Sequence, residues 1–380
     1  LHACMSQEQQ EEVLQNSEPQ SVDVTVNVGG DSRAERFLGT FDQISRLSLD
    51  IDRNYGNKRV LTDFPLEHDG SKWTGTINKL IVGFDYTITG HAYKCKDCPE
   101  VSHIPDFDNY TISTLAGQAG VSGTTDGQGN AARFNNPAGI AIHSSGIIYI
   151  SDRDNHLIRR IDPSGNVSTF AGSGTSGSND AQGTSASFNE PSGMAFDSSG
   201  NLYVADRSNH KIRKIDSYGN VSTIAGTGNK GSVNGQGTSA SFNQPIDVAL
   251  DDSGNIYVSD SYNHKIRKID SSGNVTTLAG SGSGSFADGQ GASASFFYPS
   301  GIAIDNVGSI YVSDYYNHRI RKIDNIGNVS TYAGTGDEGS SDGFKTTATF
   351  YSPTGVVTDT LGNVYVSDHK NHIIRKIDTS

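Results

Sequence analysis

The sequence SDSYNHKIRKID occupies residues 259–270 and occurs five times in the chain with small changes. The histidine of each copy lies 54 residues after the previous one, at His156, His210, His264, His318 and His372. A fixed period of this kind is typical of repeat proteins, in which each repeat is one supersecondary unit. The repeat therefore decides the fold of residues 110–380.

One complete unit, Phe242–Ser295, contains four short strand patterns. They are Asp247–Asp251, Ile256–Asp260, His264–Asp270 and Val275–Ala279. Glycine-containing turns separate them, and a long Gly/Ser loop follows. Four short antiparallel strands per repeat predict a blade of a β-propeller. In the third strand Ile266 and Ile269 are three residues apart, which predicts a β-bulge.

The first copy contains the triplet Asn155-His156-Leu157, and the other four retain Asn-His. Residues 110–380 thereby resemble the NHL repeat, which implies an all-β propeller. The copies predict five blades, with six as the alternative that is common in this family. Residues 111–116 look like a fourth strand without its first three, so we expect them to pair with the last blade and close the ring.

The first 109 residues carry no repeat. Residues 21–95 show short alternating strands and resemble an immunoglobulin- or fibronectin-like β-sandwich. Residues 96–109 are interpreted as a linker. Residues 1–20 are rich in Gln and Glu, which favours a disordered tether.

Leu1-His2-Ala3-Cys4 resembles the lipobox of bacterial lipoproteins. We therefore expect Cys4 to be lipidated, with a signal peptide upstream of Leu1. The expected location is the bacterial cell envelope, with the protein exported and anchored by its lipid at the outer membrane or cell surface. Cys95 and Cys98 then favour a small disulfide loop, since disulfides persist outside the cytoplasm. A redox pair or half of a zinc site would need context that the sequence does not show.

The net charge of −13 disfavours nucleic acid as a partner, because binding it needs a basic surface. No apolar run is long enough to span a membrane, so membrane contact is expected through the lipid alone. We expect a monomer that binds no cofactor.

Each repeat contains one aspartate and one histidine at fixed positions. They are Asp152 with His156, Asp206 with His210, Asp260 with His264, Asp314 with His318, and Asp368 with His372. The histidines begin the third strand from the axis, about 10 Å outside the innermost strand, so they cannot converge on a metal. We expect both residues to bond turns within and between blades. The ten basic residues of the Ile-Arg-Lys-Ile copies are expected on the outer surface of the blades.

Residues that differ between copies are the candidates for binding. They lie in the turn after the second strand or just before the proline that opens each blade. The set is Arg153, Asp154, Arg207, Tyr262, Tyr298, Tyr315, Tyr316, His369 and Lys370. Arginine and tyrosine are enriched in binding hot spots. This loop-rich face is therefore predicted to bind a protein, peptide or glycan.

The leading hypothesis is a non-catalytic, extracytoplasmic binding protein. One alternative is a propeller lyase or hydrolase with a metal on the axis. However, only His143 and His369 remain in residues 110–380 beside the motif histidines, too few for a three-histidine zinc site. A structural spacer of the envelope is the other alternative.

Overall fold

We analysed a computed structural model, which describes residues 113–378 in full and, before them, the backbone of six strands between residues 20 and 93. The chain divides into two units, 1–111 and 112–380. The six strands of the first unit are β1 (Gln20–Val22), β2 (Arg36–Gly39), β3 (Arg46–Arg53), β4 (Glu67–His68), β5 (Trp73–Thr76) and β6 (Tyr86–Tyr93). They form two antiparallel sheets with the orders β1-β6-β3 and β2-β5-β4. The predicted sandwich packing, the tether, the linker and all three cysteines lie outside the described residues.

The second unit is a propeller of five antiparallel blades. Blade 1 comprises β8 (Pro137–Ile142), β9 (Ile148–Asp152), β10 (Leu157–Ile161) and β11 (Asn166–Ala171), with β7 (Gly127–Gln128) beside β11. Blade 2 comprises β12 (Pro191–Phe196), β13 (Leu202–Asp206), β14 (Lys211–Ile215) and β15 (Val221–Ala225). Blade 3 comprises β17 (Pro245–Leu250), β18 (Ile256–Asp260), β19 (Lys265–Ile269) and β20 (Asn274–Ala279), with β16 (Gly235–Gln236) beside β20.

Blade 4 comprises β22 (Pro299–Ile304), β23 (Ile310–Asp314), β24 (Arg319–Ile323) and β25 (Asn328–Ala333), with β21 (Gly289–Gln290) beside β25. Blade 5 comprises β26 (Pro353–Thr358), β27 (Val364–Asp368) and β28 (Ile373–Ile377). The five-blade prediction is confirmed by this order. The described residues contain no helix long and apolar enough to cross a lipid bilayer.

The core of the propeller lies between neighbouring blades. Ile266 of blade 3, for example, packs in one cluster with Ile302 and Val312 of blade 4, and all three are at most 4% exposed. This works because alternate residues of a strand point to opposite faces of the blade, and each face meets another blade. The predicted β-bulge is confirmed, since the pairing of β19 with β20 shifts register between Ile266 and Arg267.

Blades 1 and 5 differ from the others on their outer faces. Ile140 of blade 1 is 64% exposed, whereas its equivalent Met194 in blade 2 is 6% exposed. Ile374 of blade 5 is 73% exposed, whereas its equivalent Ile320 in blade 4 is fully buried. Within the described residues the arc of blades is thus open between blade 5 and blade 1.

The predicted closing strand, residues 111–116, is described from residue 113 onward. Residues 113–116 form no strand, and among described strands β28 pairs with β27 alone. Ring closure by this segment therefore stays a prediction.

Candidate binding face

The repeated aspartate and the first arginine of Ile-Arg-Lys-Ile form a buried ion pair in every blade. In blade 3, Asp260 Oδ2 lies 2.8 Å from Arg267 Nη1, and both side chains are fully buried. Asp260 Oδ1 accepts the backbone N–H of Asn243 at 2.8 Å, and Oδ2 also accepts Asn263 Nδ2 at 2.8 Å. Because both carboxylate oxygens are satisfied inside the blade, this aspartate is not available to a ligand.

Arg267 extends the network into the loop that precedes the blade. Its guanidinium donates to the carbonyls of Ser241 and Val233 and to Asn234 Oδ1 at 2.8–3.1 Å, and it lies over the ring of Phe242. The prediction that all ten basic residues lie on the outer surface is therefore wrong for the first of each pair. The reason is that other parts of the chain cover both faces of a blade. An arginine that points away from the hydrophobic core on one face is therefore buried on the opposite face.

The repeated histidine links adjacent blades. His264 Nδ1 accepts the backbone N–H of Tyr298, the residue before the proline of blade 4, at 3.1 Å. His156, His210 and His318 make the same bond to the next blade at 3.0–3.1 Å. An Nδ1 that accepts a hydrogen bond carries no proton, and burial lowers the pKa of His210, His264 and His318. Within residues 113–378 no group of three or more His, Asp or Glu residues is arranged to hold a metal ion.

Eight of the nine predicted binding residues lie in short 3₁₀ turns between the second and third strands. These turns are Arg153–Asn155, Arg207–Asn209, Ser261–Asn263, Tyr315–Asn317 and His369–Asn371. The ninth, Tyr298, immediately precedes β22 and belongs to the same face. The structure therefore places the predicted set on one end of the blades, but it divides the set into two parts of different chemistry.

Blades 1 and 2 provide the charged part. Arg207 donates to Glu190 Oε2 at 3.2 Å and to Gln244 Oε1 at 3.0 Å, so it bridges the edges of blades 2 and 3. Arg153 pairs with its neighbour Asp154 at 3.0 Å. Because both arginines are already paired within the propeller, they are less available to bind a ligand.

Blades 3 to 5 provide a continuous group of aromatic rings, which we call the aromatic cluster. Its members are Tyr262, His264, Phe297, Tyr298, Tyr315, Tyr316 and His369. The ring centroids of Tyr298 lie 4.8 Å from Tyr262, 4.7 Å from His264 and 5.4 Å from Tyr316. Tyr262 and Tyr316 remain 41% and 51% exposed. Rings held by one another lose little further freedom on binding, and exposed tyrosine offers both an apolar face and a hydroxyl.

Tyr298 occupies a strained backbone position in this cluster. The residue before the blade proline has a φ between 50° and 55° in all five blades, and Tyr298 has a φ of 55°. A left-handed backbone is costly for a bulky side chain, whereas the Asn136 of blade 1 tolerates it. Because all five blades share this backbone conformation, the conformation belongs to the fold, and blade 4 differs from the other blades only in carrying a tyrosine ring there.

The sequence analysis missed two members of this face, Phe297 and Tyr351. They occupy the position that is Asn135, Asn189 and Asn243 in the first three blades. Phe297 stacks on Tyr298 at 5.5 Å, and Tyr351 contacts His318 at 5.6 Å. The loss of asparagine at this position in the last two blades was the available signal.

The analysis also missed Asp247 on the innermost strand of blade 3. The equivalent residue is glycine in the other four blades, at positions 139, 193, 301 and 355. A Cβ at Gly193 would lie 1.9 Å from Asp247 Oδ1, so blade 2 has no space for a side chain there. Asp247 Oδ2 accepts the backbone N–H of Ile302 in blade 4 at 3.1 Å. Burial raises the pKa of this carboxyl to about 7, and no cation offsets the effect.

Five segments of the chain match a known repeat family, at residues 134–161, 188–215, 242–269, 296–323 and 350–377. The chain carries five NHL repeats. Protein SUPPRESSOR OF QUENCHING 1, chloroplastic, of Arabidopsis thaliana is 32% identical over 281 residues, which cover 69% of this chain and 27% of that protein. NHL repeat-containing protein 2 of Homo sapiens is 32% identical over 296 residues, which cover 67% of this chain and 40% of that protein. This NHL-repeat chain thus spans less than half the length of these curated relatives.

Solved structures match this NHL-repeat chain at low sequence identity and with TM-scores below 0.5. An auxiliary nutrient binding protein from Bacteroides thetaiotaomicron is 16% identical with a TM-score of 0.48, covering 96% of this chain and 98% of that one. A virginiamycin B lyase from Staphylococcus aureus is 13% identical with a TM-score of 0.41, covering 63% and 69%.

Proposed function

We propose that this chain is a binding protein whose NHL propeller holds a protein, peptide or glycan on the aromatic cluster. The observation that carries the proposal is the continuity of the rings over three blades, with Tyr262 and Tyr316 exposed at their outer side. Exposed tyrosines held in a fixed arrangement are typical of binding hot spots. The charged turns of blades 1 and 2 form the border of the same face.

The proposal includes the location predicted from the sequence. Lipidation of Cys4 would hold the propeller at the bacterial envelope through the 1–20 tether, with the binding face outside the cytoplasm. The Leu1-His2-Ala3-Cys4 motif supports this part. A monomer is proposed, since binding at the aromatic cluster needs one copy.

A propeller enzyme is the second candidate. The resemblance of the fold to known lyases raises it, while the motif aspartates and histidines are consumed by structural bonds. Zinc or calcium bound stoichiometrically by the purified protein would favour this candidate over pure binding. A structural spacer is the third candidate, and it predicts no ligand at all.

The test of the binding proposal uses the double variant Tyr262→Ala/Tyr316→Ala. Its control is Tyr218→Ala, which removes a tyrosine that is 80% exposed from a turn outside the cluster. Both proteins and the unmodified chain are applied to arrays of bacterial envelope glycans and of peptides. We expect the double variant to lose the captured ligands by at least tenfold and the control to keep them. Equal capture by all three proteins would refute the choice of site.

A further inference from the structure

Blade 3 differs from the other four blades in the loop residue that pairs with the buried arginine. In those four blades the residue is an aspartate that lies 2.6–2.7 Å from the guanidinium, at Asp126, Asp180, Asp288 and Asp342. Blade 3 has Asn234 instead, and its Oδ1 accepts Arg267 Nη2 at 2.8 Å. Arg267 therefore has one carboxylate partner, Asp260, where its equivalents have two.

The orientation of the Asn234 amide follows from the chemistry of its neighbour. A guanidinium only donates hydrogen bonds, so the amide oxygen and not the nitrogen must face Arg267. Thr277 Oγ1 donates to the same oxygen at 3.3 Å. Asn234 is exposed to solvent, and its Nδ2 makes no hydrogen bond to any residue of the described propeller. The amide thus combines a polarised carbonyl with a nitrogen that is free to leave.

The residue after Asn234 is Gly235, and this is the one Asn-Gly sequence in the chain. The backbone nitrogen that follows an asparagine can attack the side-chain carbonyl carbon, and a glycine has no Cβ to hinder the approach. The attack places negative charge on Oδ1, to which Arg267 and Thr277 already donate, as the donors of an oxyanion hole do. The fold therefore assembles around Asn234 the groups that favour loss of its amide.

We propose that Asn234 is a modification site that loses ammonia spontaneously and becomes an aspartate, which completes the ion-pair network of blade 3. The Gly235 nitrogen forms a bond to Cγ of Asn234, and the proton that it gives up leaves with Nδ2 as ammonia. Water then adds to Cγ of the cyclic imide, the bond to the Gly235 nitrogen breaks, and that nitrogen regains a proton. The net reaction turns one amide and one water into a carboxylate and an ammonium ion, with no oxidation or reduction.

Two products can arise from such an imide, because water can open it at either carbonyl. Attack at the main-chain carbonyl gives isoaspartate, in which the backbone runs through the side chain, whereas attack at Cγ restores the ordinary backbone. Arg267 and Thr277 polarise the oxygen on Cγ, so they direct water to that carbon. We expect the folded chain to give mainly aspartate, since a free peptide lacks these donors.

The aspartate gains two contacts that the asparagine cannot make. Its carboxylate forms the second ion pair of Arg267, as in the other blades. Its second oxygen can accept the backbone N–H of Thr277, the bond that Asp180 Oδ2 accepts from Thr223 at 3.0 Å, whereas an amide nitrogen only donates. The modification therefore stabilises blade 3, and this is independent of whether the aromatic cluster binds a ligand.

The test follows residue 234 by mass spectrometry after incubation of the full chain in oxygen-18 water at pH 8 and 37 °C. The heavy oxygen enters the new carboxyl, which separates product formed during the incubation from any aspartate present before it. Gly235→Ala is the matched control, since it copies Ala181 of blade 2 and its Cβ meets no atom closer than 3.5 Å. Conversion should be about tenfold slower in this control, because the Cβ hinders the attack.

A peptide of residues 232–237, SVNGQG, shows the same chemistry without the fold. Fragmentation of the product distinguishes aspartate from isoaspartate, and the aspartate share should be higher for the folded chain than for the peptide. An amide that survives in the folded chain while the peptide loses its own would overturn the proposal. So would an isoaspartate share as large in the folded chain as in the peptide.

The gain in stability is measured separately with Asn234→Asp, which presents the product directly. Its thermal midpoint should exceed that of the unmodified chain by about 2–4 °C, the shift that one partly exposed ion pair can give. Asn229→Asp adds the same charge at another exposed position of the same loop and should leave the midpoint level. A midpoint that does not rise in Asn234→Asp, or rises equally in both variants, would overturn the ion pair with Arg267.

Discussion

Replacing Asp247 with Asn is expected to make the stability of the propeller less dependent on pH. Burial raises the pKa of this carboxyl to about 7 from its ordinary value of 3.8. Between those values the folded chain binds a proton that the unfolded chain releases. Stability from this group is therefore greatest below the unfolded pKa and falls as the pH rises toward and past 7. Linkage with these two values gives a loss of about 3 kcal/mol between pH 5 and pH 8.

The assay is urea unfolding at pH 5 and pH 8, followed by far-UV circular dichroism. Relative to the unmodified chain, Asp247→Asn should have a free energy of unfolding that is about 3 kcal/mol higher at pH 8 than at pH 5. Asp247→Gly, which restores the residue of the other four blades, is the matched second variant. Its backbone cost of about 0.5–1 kcal/mol is the same at both pH values and cancels in the comparison. A difference that does not change with pH would refute the raised pKa of the Asp247 carboxyl.

Three further predictions follow from the repeated contacts. Asp260→Asn breaks a fully buried ion pair and should cost about 3–5 kcal/mol in chemical denaturation, whereas Asp368→Asn should cost less because its arginine is 9% exposed and 3.1 Å away; equal costs would contradict the burial argument. His264→Gln should flatten the loss of stability between pH 7 and pH 5, since its lowered pKa makes the unfolded chain bind protons first; an unchanged pH slope would exclude this histidine as a cause. Tyr298→Asn, which copies Asn136 of blade 1, should weaken capture on the arrays at least tenfold while the thermal midpoint stays level or rises, and a large fall in that midpoint would mean that the ring serves packing instead.

The propeller was predictable from the repeat because the repeat period, the turn sequences and the glycine positions all indicate the same four-stranded unit. The bulge at Ile266 was also predictable, since a spacing of three cannot satisfy a period of two. The burial of Arg267 was not, because charge alone indicates solvent and its partners lie 26 to 34 residues away in a preceding loop. A carboxylate and three carbonyl-type acceptors must be assembled before a buried guanidinium becomes favourable.

The location of the candidate binding face was predictable from the sequence, but the residues that form the face were only partly predictable. The sequence predicted that the turn after the second strand groups Tyr262 with Tyr315 and Tyr316, and these residues lie in the 3₁₀ turns that follow β18 and β23. Phe297 joins them through ring contacts with Tyr298 and Tyr316 of its own blade and with His264 of blade 3, and the repeat pattern alone does not predict these contacts. The surroundings of Asp247 were not predictable, because a single aspartate in an acidic chain gives no indication of its environment until its neighbours in the fold are known.

The distance in sequence between each buried arginine and its carbonyl partners has a consequence for how the propeller folds. Arg267 contacts carbonyls that precede it by 26 and 34 residues, so a blade can form as soon as its own leading loop is available. Folding can then start in any blade and spread to its neighbours, as in other repeat proteins. The ring closure predicted from the sequence would instead pair segments at the two ends of the propeller, and the entropy of closing so long a loop would have to be overcome first. Joining the two ends is therefore expected as the last and slowest step of folding.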